Sequence, residues 1–241
     1  EEALGLIKEK FSPLPKKEWV SLSRASGRVL AADIIASEYV PGFDRSTVDG
    51  YALRASDCFG CSEAIPALLT LSRSIAMGED AGTELAEGCC AYVPTGAALP
   101  PGANAVAMIE YCEDFGDGTI GILKPVAPGE NLIFKGDDVY PGKAVLPAGR
   151  MLSAKDIGSL AAMGIMQVEV FAKPLVGIIS TGDELVGADE TPAEGQVRDI
   201  NSLMLAALVE EFGAEAKLFG IVKDEEALLA SGLDAAITQC D

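Results

Sequence analysis

Short apolar runs separated by turn residues dominate the middle of the chain, residues 42–141. Four of these runs have the length and composition of strands, and Gly- and Pro-containing turns lie between them: 67–71, 90–93, 105–109 and 119–123. Short strands at regular spacing are typical of a small β barrel or sandwich. The pattern therefore predicts an all-β, barrel-like domain inserted between two flanking segments.

Helical patterns mark the two flanking segments, residues 1–41 and 142–172. Apolar residues recur at helical spacing from Leu4 through Ile7 to Phe11 and predict a helix over 1–11. Ser153-Ala-Lys-Asp156 is a capping box that starts a second helix, which we expect to end before Gly164.

Shorter elements complete these two segments. We expect strands at 19–22 and 168–171, a short helix from Ser26 to Ala31, and an extended stretch at 33–36. Neither segment has enough apolar residues for a core of its own. We therefore expect residues 1–41 and 142–172 to pack together as one discontinuous domain.

The pattern changes to strand–helix–strand–helix over residues 173–241. Apolar strands are expected at 175–179, as in a buried parallel sheet, and at 216–222. A helix capped by the Asp199–Ser202 segment and a helix capped by Asp224 follow them. Two strands are too few to bury both faces of such a sheet, so we expect a truncated α/β domain and an N-terminal portion of a longer protein. The fold class is thus mixed α/β and multidomain.

Charge narrows the range of functions. The chain carries a net charge of −19 and contains no histidine. A strongly acidic chain is repelled by nucleic acid and by anionic membranes, so neither is expected as a partner, although such charge also serves solubility alone. Without histidine, acid–base chemistry within this chain falls to Asp, Glu, Lys, Tyr or Cys.

The cysteines leave two interpretations. Cys58 and Cys61 have CxxC spacing, and Cys89-Cys90 is a vicinal pair that would have to complete a zinc site. Reduced thiols in a cytoplasmic protein are the favoured interpretation, because a vicinal pair is poor ligand geometry. No leader pattern opens the chain, and no apolar run approaches about 20 residues.

The most informative stretch is Pro41-Gly-Phe-Asp-Arg-Ser-Thr-Val-Asp-Gly-Tyr-Ala52. It places two carboxylates, Asp44 and Asp49, on a looped segment with two hydroxyl side chains between them. Such a loop is either an ordinary surface turn with capping aspartates or a polar site held by a scaffold.

This stretch resembles the signature of the MoeA/gephyrin E-domain family, the molybdopterin molybdenumtransferases. Four more segments resemble the family's motifs in the same order: Pro94-Thr-Gly-Ala97, Lys135-Gly-Asp-Asp138, Ser180-Thr-Gly-Asp-Glu-Leu185 and Gln196-Val-Arg-Asp-Ile-Asn201. One departure is Ile133, at a position where the family commonly has arginine.

The resemblance implies an activity and a set of residues. The activity is insertion of molybdate into adenylylated molybdopterin with release of AMP. The resemblance also implies a homodimer, a MogA-like third domain and a MogA-like adenylyltransferase as a candidate partner. We expect the 241 residues alone not to turn over. The residues implied in activity are Asp49, Thr95, Asp138, Glu184 and Asp224. Those implied in substrate binding are Ser46, Thr181, Gly182, Asp183, Asp199 and Asn201.

The resemblance also implies Mg²⁺, for which Asp49, Asp138 and Glu184 are the candidate ligands. Structural alternatives stand beside these roles: Asp224 as a helix cap, Asp138 as part of a solvated turn, and Asp183 with Glu184 as turn caps. Two functional alternatives remain as well. One is a gephyrin-type scaffold that binds receptor peptides, and the other is a different nucleotide-handling enzyme, such as a CinA-like protein, that shares the α/β domain.

Overall fold

The computed structural model describes residues 2–10 and 15–241. It separates into two compact units. The middle unit is Ile34–Leu146, and the flanking unit combines the residues up to Asp33 with Pro147–Asp241. The middle of the chain is thus an insertion between two parts of one unit. The finer division into three domains with limits at 41, 142 and 173 stays a prediction.

Sixteen strands and four α-helices are present in the described part of the chain. The strands are β1 Lys17–Ser21, β2 Ile34–Ile35, β3 Arg45–Ser46, β4 Gly50–Leu53, β5 Ala67–Ser74, β6 Cys89–Val93, β7 Ala105–Met108, β8 Cys112–Asp114, β9 Thr119–Ile122, β10 Leu132–Ile133, β11 Ala144–Leu146, β12 Gln167–Phe171, β13 Leu175–Thr181, β14 Leu185–Val186, β15 Val197–Arg198 and β16 Glu215–Val222. The helices are α1 Glu2–Lys10, α2 Ala154–Ala162, α3 Asn201–Glu211 and α4 Glu226–Gln239.

A six-stranded sheet in the order β7-β4-β6-β5-β9-β8 organises the middle unit. Alternate residues of its strands face two cores, as the period of two requires. Tyr51 and Leu53 of β4 join Ile120 and Ile122 in one core, whereas Ala52 between them joins the other. Both faces of β4 are therefore covered, whereas β5 keeps a water-facing side on which Leu68 is 63% exposed.

The all-β character of the middle unit and all four predicted strands are confirmed. The hydrogen-bonded order is linear, with β7 and β8 as its outer strands, so within the described residues the ladder does not close into a barrel. A single 3₁₀ turn, Ile109–Tyr111, joins these two edges. The sheet is therefore curled, with its ends linked through the chain.

In the flanking unit, β1 pairs antiparallel with β12 across residues that are about 150 apart in sequence. The predicted capping box of α2 is present, since the Ser153 hydroxyl accepts from the Asp156 N–H and the Asp156 carboxylate accepts from the Ser153 N–H. The first predicted helix is confirmed over Glu2–Lys10, while Phe11 lies outside the described residues.

The predicted short helix from Ser26 to Ala31 is wrong. Ser26 and Gly27 form a turn, and Val29 and Leu30 make β-bridges to Met151 and Val170. Leu30 is fully buried by this pairing. Packing against the opposite segment therefore decides the conformation here, and local helix propensity does not.

The last part of the flanking unit is the predicted strand–helix–strand–helix pattern. β13 and β16 are parallel, and α3 and α4 pack against them. A small parallel pair, β14 with β15, was not expected from the sequence. The expectation that β13 is buried is only partly met, because Val176 is 37% exposed. On the paired strand β16, Leu218 is 46% exposed.

In the described part of the chain, no helix is both long enough and apolar enough to cross a membrane.

The capping box predicts a pH dependence of stability. The pKa of Asp156 is lowered to about 2 by the Ser153 hydroxyl, the Ser153 N–H and the Arg150 guanidinium. The stabilisation is therefore complete above the ordinary carboxyl pKa near 3.8 and is lost as the pH falls from there to about 2. In Asp156→Asn we expect a loss of about 1 kcal/mol at neutral pH and a flatter decline in acid.

Urea denaturation at several pH values measures this effect. Glu194→Gln, which removes a charge from an exposed side chain, is the control. Parallel acid profiles for wild type and Asp156→Asn would contradict the prediction.

Candidate functional site

The structure joins two of the predicted site residues directly. Asp49 Oδ1 accepts hydrogen bonds from the Thr95 N–H at 2.6 Å and from the Thr95 hydroxyl at 2.8 Å. These two bonds, the backbone bond first, lower the pKa of the Asp49 carboxyl below its ordinary value. Both residues are exposed. The pair is thus an ionised carboxylate at the protein surface with one oxygen, Oδ2, left for a ligand.

Asp49 is held in place by the centre of the six-stranded sheet. It immediately precedes β4, and its carbonyl accepts from the Ile109 N–H at 3.0 Å. The next residue, Gly50, fits against β7 so closely that a Cβ atom would lie 2.0 Å from the Ala107 carbonyl oxygen. Strand β4 pairs with β7 on one side and with β6 on the other, and Thr95 follows the end of β6. The two residues therefore emerge from adjacent strands.

The buried Ser46 organises the loop that carries Asp49. Its hydroxyl donates to the Val48 carbonyl at 2.6 Å and accepts from the Val48 N–H at 3.2 Å. Its carbonyl accepts from the Gly96 N–H at 2.8 Å, and its own N–H donates to Ala97. Ser46 is only 2% exposed, so the observed contacts of this residue shape the loop. Its predicted part in substrate binding stays a prediction.

A third segment, residues 131–138, lies on the other side of the same loop. The Lys135 N–H donates to Asp44 Oδ1 at 2.7 Å, and the Asn131 carbonyl accepts from the Thr47 N–H at 3.0 Å. The turn in this segment is closed by Asp137, whose carboxylate accepts from the Phe134 N–H at 2.7 Å. Three of the five motif segments thus meet in the middle unit.

Asp138 has a different environment from its neighbour. Its backbone N–H donates to Val40 and its carbonyl accepts from the Lys143 ammonium, but its exposed carboxylate forms no hydrogen bond among the described residues. Asp138 is exposed at a bend, which agrees with the alternative of a solvated turn, while Asp137 is the residue whose side chain closes that turn. The carboxylate of Asp138 is available to a ligand.

A second group of predicted residues lies in the flanking unit, at one edge of the parallel pair β13 and β16. Thr181 ends β13, and Asp224 follows the end of β16. The Gly182 N–H donates to the Val222 carbonyl at 3.4 Å and links the two strand ends. Open α/β sheets bind ligands at this carboxyl edge.

The conformation of Gly182 brings Glu184 back over the strand end. Gly182 has φ +146°, and a Cβ atom there would lie 2.8 Å from a Glu184 carboxylate oxygen. Thr181, Asp183 and Glu184 are exposed, whereas Gly182 is buried. Glycine is therefore required both for the backbone conformation and for the position of the Glu184 carboxylate.

Asp199 connects this edge to α3. Its Oδ2 accepts from the Ser180 hydroxyl at 2.6 Å, and its Oδ1 accepts from the Ser202 N–H at 3.1 Å. The bond from Ser180 is the main cause that lowers the pKa of Asp199. The bond from the Ser202 N–H is the capping interaction expected of the Asp199–Ser202 segment, although the cap position of the helix is Ile200, whose side chain forms no capping bond. Asn201 is the exposed first residue of the helix. Ser180 was not predicted as a site residue, and its place in the Ser-Thr-Gly-Asp-Glu-Leu motif was the available signal.

The predicted cap by Asp224 is wrong. Helix α4 begins at Glu226, its cap position is Glu225, and no side chain caps it. Asp224 is exposed beyond the end of β16. The proposed role of Asp224 in activity therefore depends on its position at the carboxyl edge of the sheet and not on capping.

Candidate metal ligands lie separately in the two units. In the part of the chain that the structure describes, no group of three or more His, Cys, Asp or Glu side chains is arranged to hold a metal ion. Asp49 and Asp138 belong to the middle unit and Glu184 to the flanking unit. Mg²⁺ usually takes only one or two carboxylates and keeps several waters, so single exposed carboxylates such as these have suitable chemistry.

The six cysteines are free thiols. The buried Cys58 donates to the Ala55 carbonyl at 3.3 Å, and burial raises the pKa of Cys90 to about 12. Burial likewise raises the pKa of Cys112 to about 12. Thiols with raised pKa values are poor nucleophiles and poor metal ligands, so these cysteines serve the core.

Comparison with known proteins gives the family. Residues 1–164 match the family described as "MoeA N-terminal region (domain I and II)". Residues 177–241 match the one described as "Probable molybdopterin binding domain". The chain belongs to the MoeA family. The recognition made from the five motifs is thereby confirmed.

Two curated relatives of this MoeA chain are named molybdopterin molybdenumtransferase. The protein of Nostoc sp. is 38% identical over 224 residues, which cover 93% of this chain and 51% of that protein. The protein of Staphylococcus aureus is 31% identical over 235 residues, which cover 91% and 56%. A solved structure of the molybdopterin biosynthesis moeA protein from Pyrococcus horikoshii has a TM-score of 0.91 at 42% identity and covers 100% of this chain and 64% of that one. The chain thus has the MoeA fold and spans about half the length of the curated relatives.

Ile133, the departure from the MoeA pattern, has a specific neighbour. It pairs across the β10–β3 ladder with Arg45. Directly opposed residues of antiparallel strands project from the same face. The guanidinium of Arg45 therefore lies on the face from which an arginine at position 133 would project.

The Asp49–Thr95 pair allows a direct test in this MoeA chain. Thr95→Val removes the hydroxyl donor and leaves the N–H donor. We expect the pKa of Asp49 to rise toward its ordinary value without reaching it, as measured by ¹³C NMR titration of the carboxyl carbons. Thr47→Val, at another exposed threonine of the loop, is the matched control. An unchanged Asp49 titration in Thr95→Val would show that the hydroxyl bond is not formed in solution.

Proposed function

We propose that this chain is part of a protein of molybdenum cofactor biosynthesis, which at its natural length inserts molybdate into adenylylated molybdopterin with release of AMP. The observation that carries the proposal is the exposed Asp49–Thr95 pair, formed by two motif loops 46 residues apart in a member of the MoeA family. The names of the curated relatives support the same activity.

The physical role proposed for the protein is positioning and charge control. The pterin dithiolene supplies the sulfur ligands for molybdenum, so the protein has no covalent step of its own to perform. An aspartate is ionised near neutral pH, and the bonds from Thr95 lower the pKa of Asp49 further, so Oδ2 is a hydrogen-bond acceptor there. The Thr95 hydroxyl hydrogen is directed to Asp49, so this hydroxyl offers a ligand its lone pairs.

The second group of residues is proposed to bind the pterin. Thr181, Gly182 and Asp183 lie at the carboxyl edge of β13, and Glu184 is held over Gly182. Exposed carboxylates here accept hydrogen bonds from the amino and ring N–H groups of a pterin. Asp224 stands at the end of the adjacent strand, and Asp199 fixes the start of α3 beside it.

Mg²⁺ is proposed as the accompanying cation. The candidate ligands are Asp49 and Asp138 in the middle unit and Glu184 in the flanking unit, each considered within its own unit. The ion would neutralise charge on phosphate oxygens during AMP release. We further propose a cytoplasmic homodimer that receives its substrate from a MogA-like adenylyltransferase. The free thiols of all six cysteines are in keeping with a reducing compartment.

The test is molybdate-dependent release of AMP from adenylylated molybdopterin by the protein at its natural length. We expect Asp49→Asn, which keeps the shape and removes the charge, to lower turnover by about 100-fold or more. Asp117→Asn is the matched control, because Asp117 is also an exposed aspartate whose pKa is lowered by a threonine, Thr119. Turnover of Asp49→Asn equal to that of the control would overturn the assigned role of Asp49, and no AMP release by wild type would overturn the proposed activity.

A further inference from the structure

Arg45 lacks the side-chain partners that the two other arginines of the middle unit, Arg54 and Arg73, have. Arg28, Arg54 and Arg150 form ion pairs with carboxylates, and Arg73 donates to Thr83. Arg45 forms no ion pair and donates no side-chain hydrogen bond to any described residue. Its Nε is buried without an acceptor, as are the Nε atoms of Arg54 and Arg73, but the terminal nitrogens of those two arginines have acceptors. A buried donor without an acceptor is costly, so this guanidinium is suited to a ligand that supplies acceptors.

The backbone places Arg45 beside the Asp49–Thr95 pair. Strand β3 lies between two segments, because Arg45 pairs with Ile133 on one side and makes a β-bridge to Ala98 on the other. Arg45 and Ala98 therefore project from the same face. Thr95 lies three residues before Ala98 in the sequence, and Asp49 lies four residues after Arg45.

A cavity of about 610 Å³ lies beside Ala98, the bridge partner of Arg45. Ala98 and Gly96 line it together with apolar side chains: Phe43, Met77 and Leu99. Phe43, one of these lining residues, lies two residues before Arg45 in the chain, in the bend that precedes β3. The apolar wall of the cavity suits a planar ring, and Arg45 is linked to that wall through its backbone bridge to Ala98.

The acidic side chains around this cavity are already occupied. Glu79 accepts from the Ala76 N–H at 3.0 Å, and Asp80 accepts from the Gly82 N–H at 3.0 Å. Asp44 accepts from the Lys135 N–H. These carboxylates serve local turns and do not pair with Arg45.

We propose that Arg45 is the substrate-positioning residue of this site and binds a tetrahedral oxyanion, which is either molybdate or the phosphate of the adenylylated pterin. This inference rests on the proposed function and adds to it the residue that holds the negative charge. A guanidinium presents two parallel N–H donors to two oxygens of such an anion, which an ammonium does not. In a chain with a net charge of −19, one unpaired arginine supplies the local attraction that the overall charge opposes.

The experiment measures binding of two separate probes to the natural-length protein by isothermal titration calorimetry. The probes are sodium molybdate and AMP, and they distinguish the two sources of the oxyanion. The variants are Arg45→Gln and Arg45→Lys, with Arg24→Gln as the control for charge at an exposed arginine of the flanking unit. Circular dichroism and the melting temperature of each variant report whether it is folded.

We expect Arg45→Gln to weaken binding of at least one probe by about tenfold or more, and Arg45→Lys to weaken it less. Loss confined to molybdate identifies the metal oxyanion, and loss confined to AMP identifies the phosphate. If Arg45→Gln does not fold, the same comparison is made with Arg45→Lys, for which unchanged binding of both probes overturns the proposal.

Unchanged binding of both probes by folded Arg45→Gln overturns the inference, and so does wild-type protein that binds neither probe. Failure of the proposed function looks different. In that case wild type binds an oxyanion through Arg45 but releases no AMP from adenylylated molybdopterin in the presence of molybdate.

Discussion

The arrangement of the middle unit depends on the close contact between Gly50 and β7. Any side chain at position 50 would place its Cβ 2.0 Å from the Ala107 carbonyl oxygen, so only glycine lets β4 lie between β6 and β7 with both ladders formed. The Asp-Gly pair is thus a steric requirement of the sheet as well as a turn signal. Because Asp49 is the residue before this contact, its backbone is fixed by the most constrained strand of the unit.

From that fixed point, hydrogen bonds between backbone and side chains determine where the other polar groups lie. The buried Ser46 shapes the loop before Asp49, and its backbone bonds to Gly96 and Ala97 bring the Thr95 loop alongside. Asp44 then holds the segment around Lys135. Hydrogen bonds therefore align three segments that are distant in sequence.

Period and turn signals were sufficient for the strands of the middle unit and for α2, where capping box and glycine stop agree with the apolar spacing. They failed at Ser26 to Ala31, because Leu30 is buried by pairing with a segment about 140 residues later. They also failed for the cap of α4. The motifs identified Asp49 and Thr95 as site residues, but the bond between them joins loops 46 residues apart, and no local pattern encodes it. Ser180 and Arg45 escaped notice for the same reason, since their importance lies in what they contact or leave uncontacted.

Net charge is a poor guide to the chemistry of this surface. A total of −19 acts over distances at which physiological salt screens it, with a Debye length of about 8 Å. Within that distance, whether each charged group is engaged by a partner determines whether the surface attracts an anion. Asp44, Glu79, Asp80 and Asp137 each accept backbone N–H donors, which disperse part of their charge into local turns. The Arg45 guanidinium has no such partner among the described residues. An acidic protein can therefore present a locally attractive surface to an anion, since the acids there are engaged and the arginine is not.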